Sequence, residues 1–87
     1  MRTRAELVNW YGHVMDSVVA RTSKATDSAR NGQLEDALNH LDVADTIVVL
    51  YESSLINEGV KGHAPAIRSL RRHISKTYTS ISMEAKK

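Results

Sequence analysis

The chain has 87 residues, no cysteine, one proline and no phenylalanine, and its 12 Lys and Arg slightly outnumber its 10 Asp and Glu. This length predicts one domain, residues 1–87, and the lack of cysteine excludes disulfides and thiolate metal sites. It also favours a reducing, cytoplasmic location. The N-terminal stretch lacks the apolar core of a signal peptide, and no apolar run is long enough for a membrane span, so we expect no membrane partner.

Charge is sorted along the chain. Residues 32–58 carry six acids and no Lys or Arg, whereas residues 59–87 carry seven bases and one acid. Opposite blocks of this kind can pair within one chain, pair between two chains, or leave a basic surface free for a polyanion.

The first predicted helix covers residues 3–30. Thr3 followed by Glu6 is the pattern of a capping box at its start, and Asn31-Gly32 is a stop signal at its end. Apolar or small side chains recur at steps of three and four between these signals, which places them on one face: Leu7, Trp10, Tyr11, Val14, Val18, Thr22, Ala25 and Ala29.

The second predicted helix covers residues 33–57. A heptad seam runs along it, formed by Leu34, Ala37, Leu41, Ala44, Val48, Tyr51 and Leu55. The seam is typical of an intramolecular bundle core, and the alternative is a coiled-coil dimer seam. A second stripe, Val43, Ile47 and Leu50, lies behind it and makes the middle of this helix apolar nearly all round. We call these three residues the α2 stripe.

The third predicted helix covers residues 65–83. Gly59 and Gly62 interrupt the preceding helix, and Pro65 suits the first turn of the next one. Its apolar positions are Ile67, Leu70, Ile74, Tyr78 and Ile81.

Both connections between the predicted helices are short, so consecutive helices should run antiparallel. The sequence therefore predicts an all-α, up-down-up three-helix bundle with long helices. The antiparallel register sets Val14 and Ile74 near Val48, and Arg71 near Glu52.

Two charged residues break the apolar stripes. Arg21 falls within the stripe of the first helix and Asp45 within that of the second. The register brings them to within about one turn, so we expect a structural ion pair that fixes the register. The alternative is that Asp45 faces a cavity or a partner.

The four histidines are His13, His40, His63 and His73, and no two are spaced three or four residues apart. A helical metal site needs ligands on one face, so we expect no metal and no cofactor.

Three short segments resemble known families. Asp42 and Asp45 have the three-residue step that is similar to the acidic motifs of helical Mg²⁺-dependent nucleotide pyrophosphohydrolases. Arg68 and His73 resemble the Arg-x4-His pattern of HEPN-type ribonucleases. Residues 32–44 resemble the turn and second helix of a tetratricopeptide motif and a similar turn in microtubule-interacting-and-transport domains, which implies peptide or protein binding in a helix groove.

No catalytic constellation accompanies these segments, so we expect a non-enzymatic protein that acts by protein–protein interaction, as a regulator, inhibitor or adaptor. The expected partner is another protein, and a homodimer is favoured. The predicted partner or self-association face combines the α2 stripe with a flank of the first helix, which we call the α1 flank: Val8, Met15 and Val19.

The alternative function is nucleic-acid binding through a basic face on the third helix. This face consists of Arg68, Arg71, Arg72 and Lys76. The competing interpretation is that these bases pair with the acids of the second helix.

Overall fold

The structure is a computed structural model that describes residues 2–85. Three α-helices follow one another: α1 spans Arg4–Arg30, α2 spans Leu34–Asn57 and α3 spans Ala64–Ala85. Each helix packs against the other two, and the bundle measures 48 × 17 × 16 Å. The predicted all-α three-helix bundle is confirmed, and no predicted helix boundary is more than two residues from the observed one.

The signals that bound α1 act as the sequence predicts. The Thr3 hydroxyl accepts a hydrogen bond from the Glu6 amide at 3.1 Å, and the Glu6 carboxylate returns to the Thr3 amide, which completes the capping box. At the other end Gly32 has a φ of 78°, a left-handed conformation that favours glycine. The Gln33 amide then reaches back to the Ser28 carbonyl at 2.8 Å, so the chain reverses without leaving the last carbonyls unpaired.

The end of α2 repeats this turn. Gly59 has a φ of 71°, and the Val60 amide donates to the Leu55 carbonyl at 2.9 Å. Val60 is thereby folded back against the end of the core, where it packs on the buried residues. This turn sets the path of the loop that leads into α3.

The heptad seam of α2 forms the core of the bundle. All of its members except Leu34, which is exposed, lie buried against α1 and α3. The seam is therefore used within the chain, as the bundle interpretation predicted. The buried apolar residues are Val14, Val18, Ala25, Ala37, Leu41, Ala44, Val48, Tyr51, Leu55, Ile67, Leu70, Ile74 and Ile81.

An aromatic contact fixes the register of α1 against α2. The rings of Trp10 and Tyr51 meet edge to face, with centroids 5.0 Å apart and an interplanar angle of 85°. The guanidinium of Arg2 stacks over Trp10 at 4.1 Å and also pairs with Glu58 at 3.0 Å. Tyr51 is thus held at the end of the bundle where the α2–α3 loop crosses α1.

The register of α2 against α3 follows the prediction. Arg71 forms a salt bridge with Glu52 at 3.5 Å. Since the two side chains are partly exposed, this pair contributes only about 0–1 kcal/mol. The pair shows which flank of α2 faces α3.

Candidate functional site

The α2 stripe lies at the surface of the bundle. Val43 is 39% exposed and Leu50 is 62% exposed, while Ile47 between them is half-buried against the core. The neighbouring positions on this flank are uncharged as well, among them Thr46 and Ser54. The middle of the stripe therefore carries no charge. An uncharged apolar strip at the surface has the composition found at the centre of protein interfaces.

The α1 flank lies on a different surface. Val8 lies on the side of α1 that faces α3, because Thr22, about 40° round the helix from it, contacts His73 of α3. Arg21, which lies about 140° round α1 from Val8, faces α2 instead and contacts His40. The single face predicted from the sequence is therefore two surfaces, one on each side of α1.

The other members of the α1 flank follow Val8. Met15 is half-buried and packs against the core, and Val19 is 39% exposed. About two and about three turns, respectively, separate them from Val8 along the same side of α1. The α1 flank is therefore partly used within the chain.

The basic face is divided by its salt bridge. Arg71 is paired with Glu52, whereas Arg68, Arg72 and Lys76 are exposed and form no salt bridge with any acid that the structure describes. These three follow one another at steps of four, so they form one row along the outside of α3. This row is therefore one part of the basic end of the sequence that pairs with no described acid.

The predicted ion pair between Arg21 and Asp45 is not formed. The Arg21 guanidinium lies 3.3 Å from Nδ1 of His40, and Asp45 is exposed. Asp45 is five residues beyond His40, about 140° round the helix, on the flank that Glu52 directs toward α3. Asp45 therefore points away from α1. The prediction was wrong because membership of an apolar stripe does not fix the side of the helix closely enough.

His73 makes a buried polar contact. Its Nε2 lies 2.9 Å from the hydroxyl of Thr22, which is buried. The same hydroxyl donates to the Val19 carbonyl at 3.0 Å, so its one hydrogen is used and His73 must be the donor. This bond ties α3 to α1. Among the residues that the structure describes, no group of three or more His, Asp or Glu is placed to hold a metal.

A cavity that the sequence did not reveal lies where the α2–α3 loop crosses α1. Its volume is about 250 Å³, and we call it the loop cavity. Its walls are largely apolar, formed by Leu7, Val8, Leu55, Val60 and Ala66. Gly59 and Gly62, with φ of 71° and 75°, shape the loop that closes the cavity. In the sequence, this pair of glycines is the signal that indicates where the cavity lies.

The polar groups of the loop cavity are two phenols and three basic side chains: Tyr11, Tyr51, Arg4, Lys61 and His63. Tyr51 is buried, and it forms part of the cavity wall. Burial, reinforced by the neighbouring Tyr11, raises the pKa of Tyr51 above its ordinary value. A phenol is protonated at neutral pH even at its ordinary pKa of 10.0, so Tyr51 is available as a hydrogen-bond donor.

A larger groove, of about 450 Å³, runs between the C-terminal halves of α1 and α3. Thr26 and Thr77 line it, but both hydroxyls already donate to backbone carbonyls. Arg30 and Lys76 give it positive charge, and Glu84 offsets part of that charge. His73 at its edge is bonded to Thr22, whereas Arg30, Lys76 and Glu84 form no salt bridge with the residues that the structure describes.

Comparison with protein-family models, with curated proteins and with solved structures finds no match to this chain. None of the helices described here is long and apolar enough to cross a membrane.

The two enzyme-like segments can be placed in the fold. Arg68 and His73 are about 140° apart round α3, with Arg68 exposed and His73 bonded to Thr22. Asp42 and Asp45 are both exposed on α2. In neither pair do both residues line one of the two cavities described above.

Proposed function

We propose that this chain is a small non-enzymatic helical protein that acts by protein–protein interaction, as a regulator, inhibitor or adaptor, and that it self-associates through the α2 stripe. The observation that carries the proposal is the exposure of Val43 and Leu50 on a flank whose middle is uncharged. A contiguous apolar patch at the surface of a small domain is a common mark of an interaction site.

The proposed occupant of the stripe is a second copy of the chain. Each charged surface of the bundle would meet its own like charge across a two-fold axis, whereas the α2 stripe is self-complementary because its middle has no charge. Self-association also suits the size of the domain, since a chain this short buries a modest core and gains stability from a partner. The lack of cysteine supports a reducing, cytoplasmic location.

The test compares two substitutions on the same helix. Leu50→Glu places a charge in the stripe, and Ile56→Glu places one at a site of similar exposure, 59% against 62%, about 120° round α2. Light scattering after gel filtration should give a dimer for the parent and for Ile56→Glu, and a monomer for Leu50→Glu. Equal masses for all three chains would remove the α2 stripe as the interface.

A second candidate function is nucleic-acid binding by the row Arg68, Arg72 and Lys76. The observation in its favour is that no described acid pairs with these side chains. A cationic row can neutralise phosphates, and the affinity then falls steeply as salt rises.

Fluorescence anisotropy of a labelled DNA oligonucleotide distinguishes this candidate. Replacing Arg68, Arg72 and Lys76 together with Ala should abolish binding and its salt dependence, whereas Arg71→Ala should change both little, because the charge of Arg71 is already paired. Absence of binding by the parent protein at low salt would eliminate nucleic acid as the partner.

A further inference from the structure

The basic row of α3 continues into the groove of about 450 Å³ between α1 and α3. Arg68, Arg72 and Lys76 follow one another at steps of four residues, or about 6 Å along the helix. Lys76, the last of them, also lines the groove, and Arg30 lines its other wall at the end of α1. The groove therefore has a cation on each of its two walls, and one of these belongs to the row.

Arg30 extends the row along the bundle. The bond between Thr22 and His73 shows which positions of the parallel helices α1 and α3 share a level. By the same offset Arg30 lies level with Ile81, five residues beyond Lys76, which is about 7 Å further along the bundle. The three cations of α3 and the one of α1 thus follow one another over about 20 Å. A linear polyanion laid along α3 and into the groove would meet each of them in turn.

The charges of these four side chains are not neutralised by the part of the chain that the structure describes. Its salt bridges join Arg2 to Glu58 and Arg71 to Glu52, so none of the four cations takes part in one. Among the described residues that line the groove, Glu84 is the acid. Four cations against one carboxylate leave the surface positive, and a bound polyanion would neutralise this excess.

The shape of the groove favours a single strand over a duplex. Packed helices have axes about 8–10 Å apart, so one nucleic-acid backbone can lie between α1 and α3, whereas a duplex is too wide. A single strand can also extend along a straight row of cations, but each strand of a duplex winds away from such a row. No described Trp or Tyr lines the groove, so phosphate contacts and not base stacking must supply the affinity.

We propose that the groove and the basic row form one surface that binds the sugar–phosphate backbone of a single-stranded nucleic acid. Arg68, Arg72 and Lys76 pair with phosphates along α3, and Arg30 pairs with a further phosphate from α1. The inference rests on the second candidate function above, to which it adds the groove, the α1 wall and the single strand. The surface lies apart from the α2 stripe and does not depend on self-association.

Fluorescence anisotropy of the full chain at low salt tests the preference for a single strand. The probes are a labelled oligothymidine of about twelve nucleotides and a labelled duplex of the same length. The single strand should bind about ten-fold more tightly, although the duplex has the higher charge density. Equal affinities, or tighter binding of the duplex, would overturn the inference and leave the second candidate function in place. Absence of binding by either probe would overturn both.

Matched variants test the α1 wall. Arg30→Gln should weaken oligothymidine binding several-fold and lower the slope of log affinity against log salt by about 0.7, the value for one lost phosphate contact on a single strand. Lys24→Gln removes another exposed cation of α1, about 120° round the helix from Arg30, and should change neither quantity. Glu84→Gln removes the opposing carboxylate and should strengthen binding.

The pattern across these variants decides whether the groove takes part. Circular dichroism shows whether each variant keeps the helical fold of the parent. If folded Arg30→Gln binds as the parent does while the triple replacement of Arg68, Arg72 and Lys76 loses binding, the row acts without the groove. That result would overturn the inference and leave nucleic-acid binding by the row intact.

Competition with polyglutamate distinguishes a nucleic acid from an acidic protein. At an equal concentration of charges, polyglutamate should displace the labelled oligothymidine about ten-fold less effectively than unlabelled oligothymidine, because nucleic acid releases condensed counterions when its phosphates are neutralised. Equal competition would indicate an acidic protein as the partner and would overturn the proposal.

Discussion

The guanidinium of Arg21 lies 3.3 Å from Nδ1 of His40, and this contact joins the middle of α1 to α2. A guanidinium only donates, so Nδ1 of His40 is the acceptor. We expect a double-mutant cycle of Arg21→Ala and His40→Ala to give a coupling energy of about 0.5–1 kcal/mol in urea unfolding.

The matched cycle uses Asp45. Arg21→Ala combined with Asp45→Ala should be additive, because Asp45 lies on the flank of α2 that faces α3. A coupling to Asp45 that exceeds the coupling to His40 would restore the ion pair predicted from the sequence and contradict the observed register.

Thr22 is expected to stabilise the bundle through its hydroxyl. Thr22→Val keeps the volume but leaves the Nε2 hydrogen of His73 without an acceptor, which should cost about 1–3 kcal/mol of unfolding free energy. Thr22→Ser keeps the acceptor and loses only a methyl group, for which we expect about 1 kcal/mol. If Thr22→Val is the more stable of the two, the hydrogen bond contributes nothing. In the parent, ¹⁵N shifts of the His73 ring should show a proton on Nε2.

Tyr51 should make the stability of the fold depend on pH in the alkaline range. Its pKa in the folded chain is raised above the ordinary value of 10.0, so the unfolded chain loses this proton first as the pH rises. The contribution to stability is full below about pH 10 and is lost as the pH rises through the folded-state pKa.

Urea unfolding between pH 8 and 12 measures this effect. The parent should lose more stability across that range than Tyr51→Phe, while Tyr78→Phe, at an exposed tyrosine, should follow the parent. Identical pH profiles for the parent and Tyr51→Phe would show that the Tyr51 hydroxyl is fully solvated.

Two leucines of α2 should differ sharply on truncation. Leu41 is 1% exposed and lies in the seam, so Leu41→Ala should cost about 2–5 kcal/mol, enough to unfold much of a small domain. Leu50→Ala, measured where the protein is monomeric, should change the unfolding free energy by about 0.5 kcal/mol or less. Similar losses for both leucines in urea unfolding would contradict the placement of the α2 stripe at the surface.

The fold could be predicted because its signals are local. Thr3 with Glu6 and the glycine at 32 bound α1, and a seven-residue repeat of apolar side chains marks the seam of α2 that packs in the core. Each of these depends on residues within one turn or one helix. The pairing of Arg71 with Glu52 could also be predicted, because short loops leave α2 and α3 little freedom in their register.

The details of the candidate sites depend on longer-range geometry. Periodicity places Arg21 on the inner side of α1, but the choice between His40 and Asp45 depends on how α1 is rotated against α2. The separation of Val8 from the α2 stripe has the same cause. The loop cavity depends on the path of a loop with two left-handed glycines. The sequence does not show that path, so by its pattern Tyr51 is an ordinary seam residue.

Sedimentation equilibrium of the unmodified chain tests the central claim, self-association through the α2 stripe, most directly. The protomer mass is 9.7 kDa, and at tens to hundreds of micromolar the account predicts a reversible dimer of twice that mass, which Leu50→Glu converts to the protomer mass and Ile56→Glu does not. A parent chain that keeps the protomer mass throughout this range would contradict it.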